Sequence, residues 1–218
     1  MKIIDLHNHS NFSYDGQNSI EELVINAVNN GVSVIGITDH QFSVGDNFGK
    51  YIQAIDYVKE KYKNQIKVLA GLEIGTRPRP SDFPATLSKK LDYCLFESLD
   101  DKRAMDLYEF FEWKKLFSCP CGLAHTDIFV LCERYGLDLL KVLVRDNVFW
   151  EINFSGNYNY YFDFISSREK QDLIRKSGIK LSVGSDIHWT GDFDIKRLIQ
   201  TNELVRKLKN PLALGICD

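Results

Sequence analysis

Seven times along this chain a short apolar run is followed by a longer amphipathic segment, and that alternation constrains the fold more than any other feature. The runs cover 3–6, 32–37, 67–72, 91–96, a short stretch ending at Ala124, 148–152 and 179–183. Val-Ile-Gly-Ile and Val-Leu-Ala-Gly-Leu are apolar at successive positions, as strands buried on both faces require. Ser19-Ile-Glu-Glu22 is a capping box, and the helix it opens carries Ile20, Leu23, Val24, Ala27 and Val28 on one face. Gly31 follows where a left-handed cap is expected. Further helices are expected over 48–62, 102–117, 137–144, 167–176 and 195–208. Strands joined through helices make a parallel α/β protein. No linker, repeat or low-complexity tract divides the 218 residues, so one domain over 1–218 is expected.

Composition narrows the function classes. Charged residues make up 26% and hydrophobic ones 44%, with a formal net charge of −3 and no long basic block. The lysine-rich stretches 59–67 and 196–209 read as solvated helix faces, so nucleic acid is not an expected partner. No apolar stretch has the length of a membrane span, and none at the start has the form of an export signal. Of the five cysteines (94, 119, 121, 132 and 217), Cys119-Pro-Cys121 has no second pair to complete a metal site. Reduced thiols and a cytoplasmic location are the expectation.

The ionisable residues fall in one kind of place. An isolated His-x-His such as His7-Asn-His9 is commonly a solvated loop pair, although alternate strand residues aim at one point. Here the first run ends in His7 and His9 with Asp15 beyond, and the second in Thr38-Asp39-His40. The third ends in Gly71-Leu72-Glu73, the fifth in Ala124-His125-Thr126-Asp127. The sixth delivers Glu151-Ile152-Asn153 and the seventh Gly184-Ser185-Asp186-Ile187-His188. All five histidines therefore follow apolar runs on the C-terminal side, the side on which parallel barrels build their sites. With Glu73 and Asp186 they point to a multinuclear metal site.

These motifs, Asp-Leu-His-Asn-His-Ser, Ile-Thr-Asp-His, Gly-Leu-Glu, Ala-His-Thr-Asp and Gly-Ser-Asp-Ile-His, resemble the PHP (polymerase and histidinol phosphatase) family from residue 1 to about 188. The resemblance implies a distorted (β/α)7 barrel with up to three metal ions. By position it assigns His7, His9, Glu73 and Asp186 to one ion. Glu73 would bridge to a second ion shared with His125, and Asp15, His40 and His188 would hold a third. Asp5, Asp39, Asp127, Glu151 and Asn153 would orient imidazoles or water. The chain departs from the pattern at Leu99, which falls where a histidine ligand of the second ion is expected. Glu97, Asp100 and Asp101 are the acidic residues nearby.

Imidazole and carboxylate donors suit two or three divalent ions, zinc, manganese or iron. A hydroxide bridging two such ions would attack phosphorus, with His40, His188, Asp15 and Asp186 as candidate catalytic groups. A small phosphorylated substrate is expected, hydrolysed in the manner of a histidinol phosphatase, and Arg77, Arg79 and Arg168 are candidates to clamp its phosphate. A phosphodiesterase, nuclease or protein phosphatase of the same family is the alternative, and a non-catalytic metal-binding domain the second.

Overall fold

The computed structural model of the protein describes residues 2–77 and 84–216. In chain order its elements are β1 (Ile4–Asp5), α1 (Ile20–Asn29), β2 (Val34–Ile37), α2 (Gln41–Val44), α3 (Phe48–Tyr62), β3 (Lys67–Ala70), β4 (Glu73–Ile74) and β5 (Cys94–Glu97). They continue with α4 (Leu107–Lys114), β6 (Cys121–Ala124), α5 (Ile128–Tyr135), α6 (Leu139–Arg145), β7 (Val148–Asn153), α7 (Asn159–Ser166), α8 (Arg168–Ser177), β8 (Leu181–Gly184) and α9 (Ile195–Leu208). All pairings are parallel, in the orders β1-β2-β3 and β4-β5-β6-β7-β8.

Backbone hydrogen bonds join the two sheets at both seams. At one, the Leu6 N–H donates to the Val183 carbonyl at 2.7 Å, and Asp186 and His9 donate to His7 and Ile187 at 2.9 Å. At the other, the chain from β3 to β4 stays wedged between its neighbours. Gly71 and Glu73 donate to Ile37 and Asp39 on one side, and Asp92 and Leu95 donate to Ala70 and Leu72 on the other. β3 and β4 are thus two halves of one barrel position, so the expected third strand exists but is broken after Ala70.

Glycines line the barrel interior at and beside the break. The buried Tyr93 ring crosses the barrel interior and its hydroxyl donates to the Leu6 carbonyl at 2.7 Å. A Cβ at Gly36 would lie 1.8 Å from the Tyr93 hydroxyl oxygen, and one at Gly71 would lie 2.7 Å from Cζ of the same ring. Only glycine admits the ring at both places.

The outer helices follow their sequence signals. Ser19 and Glu22 form the expected capping box, and Gly31 takes φ 72° just past α1. α9 buries Leu198, Val205 and Leu208, and its Asn202 brackets β1 by donating to the Ile4 carbonyl and accepting from the Ile4 N–H, both at 3.0 Å. The expected helix over 102–117 is shorter, because Asp106 caps α4 and the preceding residues form turns. Three helices were not anticipated: the four-residue α2, α5, capped by Asp127, and the aromatic-rich α7. No helix among the described residues is long and apolar enough to cross a membrane.

Candidate metal centre

The five histidines converge over the C-terminal ends of the strands. His7 and His9 follow β1 with their Nε2 atoms 3.0 Å apart. Hydrogen-bond partners fix what those atoms can be. His7 Nδ1 lies 2.7 Å from Glu151 Oε1, an acceptor, so it carries the proton. His9 Nδ1 lies 3.2 Å from Ser13 Oγ, whose own proton goes to Asp39 Oδ1 at 2.7 Å. The serine therefore accepts from His9. In their neutral forms both rings then turn Nε2 lone pairs toward one point, as ligands of a shared cation do.

The carboxylates complete the picture. Glu73 enters at the start of β4 with no exposed side-chain surface. Its Oε1 lies 2.7 Å from His125 Nε2 and 3.3 Å from His7 Nε2, and its Oε2 lies 2.7 Å from His40 Nδ1. Asp186 Oδ1 lies 3.1 Å from His9 Nε2. Glu73 Oε2 and Asp15 Oδ1 are buried without a hydrogen-bond partner, although they belong to acceptors that normally find one. Two orphaned oxygens inside a ring of imidazole nitrogens are what a donor set for divalent cations looks like, so the residues fit the group that the sequence implied.

Four sets of donors lie within 4.8 Å of one another: His7, His9 and Asp186; His7, Glu73 and His125; His9, Asp15, His40 and His188; and His40, Glu73 and Glu97. All eight residues expected from the sequence are brought together. His9 faces two of the sets, and Glu97 is an addition.

Outer groups hold the rings. Glu151 Oε2 accepts from the His125 N–H at 2.9 Å and from Asn153 Nδ2 at 3.2 Å, so one carboxylate steadies two strands. A Cβ at Gly184 would fall 2.1 Å from Glu151 Oε1, which is why β8 ends in glycine. His188 Nδ1 donates to the Asp186 carbonyl at 2.9 Å, freeing Nε2 toward Asp15 Oδ2 at 3.3 Å. Asp39 holds Ser10 and Ser13, and Asp5 holds Ser185. Asp127 is different: its carboxylate accepts from the Phe129 and Val130 N–H groups and caps α5, without reaching a ring.

Charge interactions oppose burial throughout. Burial depresses His7 and His125, but carboxylates outweigh it and raise both: Glu151, Glu73 and Asp186 at His7, and chiefly Glu73 at His125. His40 is raised to about 9, because the Glu73 bond and the charges of Glu73, Asp15 and Glu97 overcome its desolvation. His9 is lowered, burial and the His7 charge prevailing over its carboxylates. Desolvation would raise Glu73 and Asp186, yet the histidines pull both down. Asp5, by contrast, is raised to about 6 by burial against the bonds it accepts.

The substrate expectations fare unevenly. Arg77 is paired to Asp101 at 2.7 Å. Arg168 is exposed on the first turn of α8, and Arg79 lies outside the described residues. Of the tyrosines, Tyr160 and Tyr161 are buried, whereas the Tyr158 ring stacks on His125 with centroids 4.6 Å apart. A cavity of about 380 Å³ adjoins Asp186 and His188, walled by Asn157, Asp192, Asp194 and Arg197. Sequence reasoning missed Arg197, because it sits mid-pattern in a helix. Its only signal is that α9 follows the Gly-Ser-Asp-Ile-His loop.

A parallel barrel with imidazoles and carboxylates gathered at one mouth defines a protein with a donor cluster suited to metal. The chain belongs to the PHP domain family, whose model matches residues 5–155. It is 26% identical over 188 residues to the histidinol-phosphatase of Lactococcus lactis subsp. lactis, an alignment covering 78% of this chain and 65% of that protein's length. It is 25% identical over 222 residues, 95% of this chain and 86% of the other, to a protein of Thermoanaerobacter sp. (strain X514) named "probable phosphatase". Among solved structures, the Lactococcus lactis histidinol phosphate phosphatase, crystallised with zinc, L-histidinol and phosphate, superposes with a TM-score of 0.70 at 18% identity, covering 100% of this chain and 99% of that one. At that identity the likeness shows the fold.

Proposed function

We propose that this protein is a metal-dependent phosphomonoesterase acting on a small phosphorylated substrate. The observation that carries the reading is the convergence of the His7 and His9 Nε2 atoms on Asp186 and on the fully buried Glu73 carboxylate. His7, His9, Glu73 and Asp186 would hold one ion, Glu73 and His125 would share a second, and Asp15, His40 and His188 would hold a third. Zinc, manganese and iron suit these donors. Bound ions would supply Lewis acidity at phosphoryl oxygens and a nucleophile of lowered pKa.

The chain's own residues divide the remaining work by depth. His7 and Glu73 are sealed, so they fix charge and geometry. The side chains of His188 and Asp15 keep 32% and 30% of their surface exposed, so they meet the substrate's entering end. There His188, His40 or Asp15 can hold a proton for the departing alkoxide, and Tyr158 shields the His125 face from water. The adjoining cavity admits a leaving group of metabolite size, with Arg197 and the Asp192 and Asp194 carboxylates to orient it. Likeness to the Lactococcus histidinol-phosphatase makes L-histidinol phosphate the first substrate to try.

The test is direct. Protein stripped with a chelator and reloaded with Zn²⁺, Mn²⁺ or Fe²⁺ is assayed for phosphate release from L-histidinol phosphate, other phosphomonoesters, phosphodiesters and phosphopeptides. Metal-dependent release from monoesters is expected. No monoester hydrolysis at full metal occupancy would reject the reading.

A further inference from the structure

The sets of donors assigned so far leave one side of Glu73 unexplained. Oε1 faces His7 and His125, whereas the buried Oε2 faces His40, whose Nδ1 lies 2.7 Å away without forming an aligned hydrogen bond. On that side stands Glu97, the last residue of β5. One oxygen of Glu97, one of Glu73 and one ring nitrogen of His40 lie within 4.8 Å of one another. Gly75 makes the approach possible, because a Cβ there would lie 3.3 Å from Glu97 Oε1. Glu73 is fully buried and Glu97 partly so, and a cation shared by the two carboxylates would relieve a repulsion that the His40 and His125 charges otherwise offset.

Local backbone geometry explains why Glu97 is the acidic residue that arrives. Register pairs Glu97 with Ala124, and the Thr76 hydroxyl donates to its carbonyl at 2.7 Å, fixing the strand end. Ser98 then takes φ 48° and places its Oγ 2.9 Å from His125 Nδ1. That turn sends Leu99 into the core, where it is 1% exposed. Asp101 goes to Arg77 and Arg103. Strand pairing and the turn thus leave one carboxylate facing the cluster.

We infer that Glu97 is a metal ligand, holding a divalent cation together with Glu73 Oε2, within reach of a ring nitrogen of His40. The inference rests on the metal-centre reading above and adds a donor to it. Two oxygens and one nitrogen make this position harder than its histidine-rich neighbours, so its preference for Zn²⁺ over Mn²⁺ is smaller than theirs.

The experiment counts ions. Wild-type and Glu97→Gln proteins, stripped and then titrated with Zn²⁺ or Mn²⁺ alone, are compared by metal-to-protein ratio after desalting and by competition with a chromophoric chelator. Glu97→Gln is expected to lose one ion, weakened at least tenfold, with the other ions unchanged. Stripped Glu97→Gln should also melt no lower than stripped wild type, because a repulsion has been removed. Glu97→Asp, which keeps the charge but withdraws it by one methylene, should weaken the same ion less and decides the matter if Glu97→Gln does not fold. Unchanged stoichiometry and affinity in the folded variant overturn the inference alone. A wild-type protein that takes up no ion overturns the metal-centre reading with it.

Discussion

The two mouths of the barrel differ in the residues they gather. At the C-terminal mouth β5, β6 and β8 run into Ser98, His125 and Asp186, non-glycine residues with φ of 48°, 29° and 56°. Such backbone is costly for L-residues and is tolerated where surrounding structure enforces it. Polar atoms there stay unpartnered, as at Glu73 Oε2 and Asp15 Oδ1. At the N-terminal mouth Cys94 and Cys121 open adjacent strands in register, Cys119 Sγ lies 3.4 Å from Cys94 Sγ, and Cys121 Sγ donates to the Cys119 carbonyl. A cavity of about 310 Å³ lies at that end too, lined by Lys67, Asp92 and Lys180, but Asp92 is taken by Lys59 and the Ala70 N–H. Neither cavity size nor unmet polar demand alone separates the two ends, because Asn210 Oδ1 is buried and unpartnered beside the start of β8; the gathering of histidines and carboxylates does. One mouth collects imidazoles and acids, and the other collects thiols.

That contrast can be broken by mutation. Glu73→Gln keeps the shape but removes the shared charge, so bound metal and phosphate release should fall together by about two orders of magnitude or more. Metal analysis beside a phosphate assay checks it, and full retention of both would erase the distinction between the mouths. Glu151→Gln disturbs the support of His7, His125 and Asn153 and should weaken metal binding about 10–100-fold, read by chelator competition. Cys94→Ala at the opposite mouth should cost about 1 kcal/mol in urea unfolding and leave metal affinity untouched. A loss of metal there would show the two ends to be coupled.

The gentlest test varies pH. His40 in the metal-free protein has its pKa raised to about 9, above the ordinary value of 6.5. The stability it contributes is therefore complete below about pH 6.5 and is lost as pH rises through 9. Melting of the chelator-stripped protein should slope downward across that window. The metal-loaded protein, whose ligating imidazoles are already neutral, should show little of that slope, so apparent metal affinity rises with pH. A stripped protein with a flat melting profile would contradict the His40 environment described here.

The fold was legible because strand cores announce themselves by apolar runs, and most candidate ligands because each follows such a run. What escaped notice had a physical reason. The glycines at 36 and 71 make room for a ring arriving from Tyr93, more than twenty positions beyond the second, which no local pattern encodes. Asp127 stands in a motif with His125, so its cap of α5 was read as support for the site. α7 is rich in tyrosine and phenylalanine, which carry little helical preference, and packing decides its form. The direction of Glu97 relative to Leu99 turns on the positive φ of Ser98, a conformation serine does not advertise.

The seam between β1 and β8 also orders events in time. Leu6, His7 and His9 are bonded there to Val183, Asp186 and Ile187, residues far apart in the sequence. During synthesis the His-x-His pair emerges long before its aspartate partner. Contacts of such long sequence separation make for slow folding, and the histidines wait until Asp186 has been made. Capture of the cation proposed for His7, His9 and Asp186 would then be a step that registers ring closure. A nascent chain halted before residue 181 has no means to pass it.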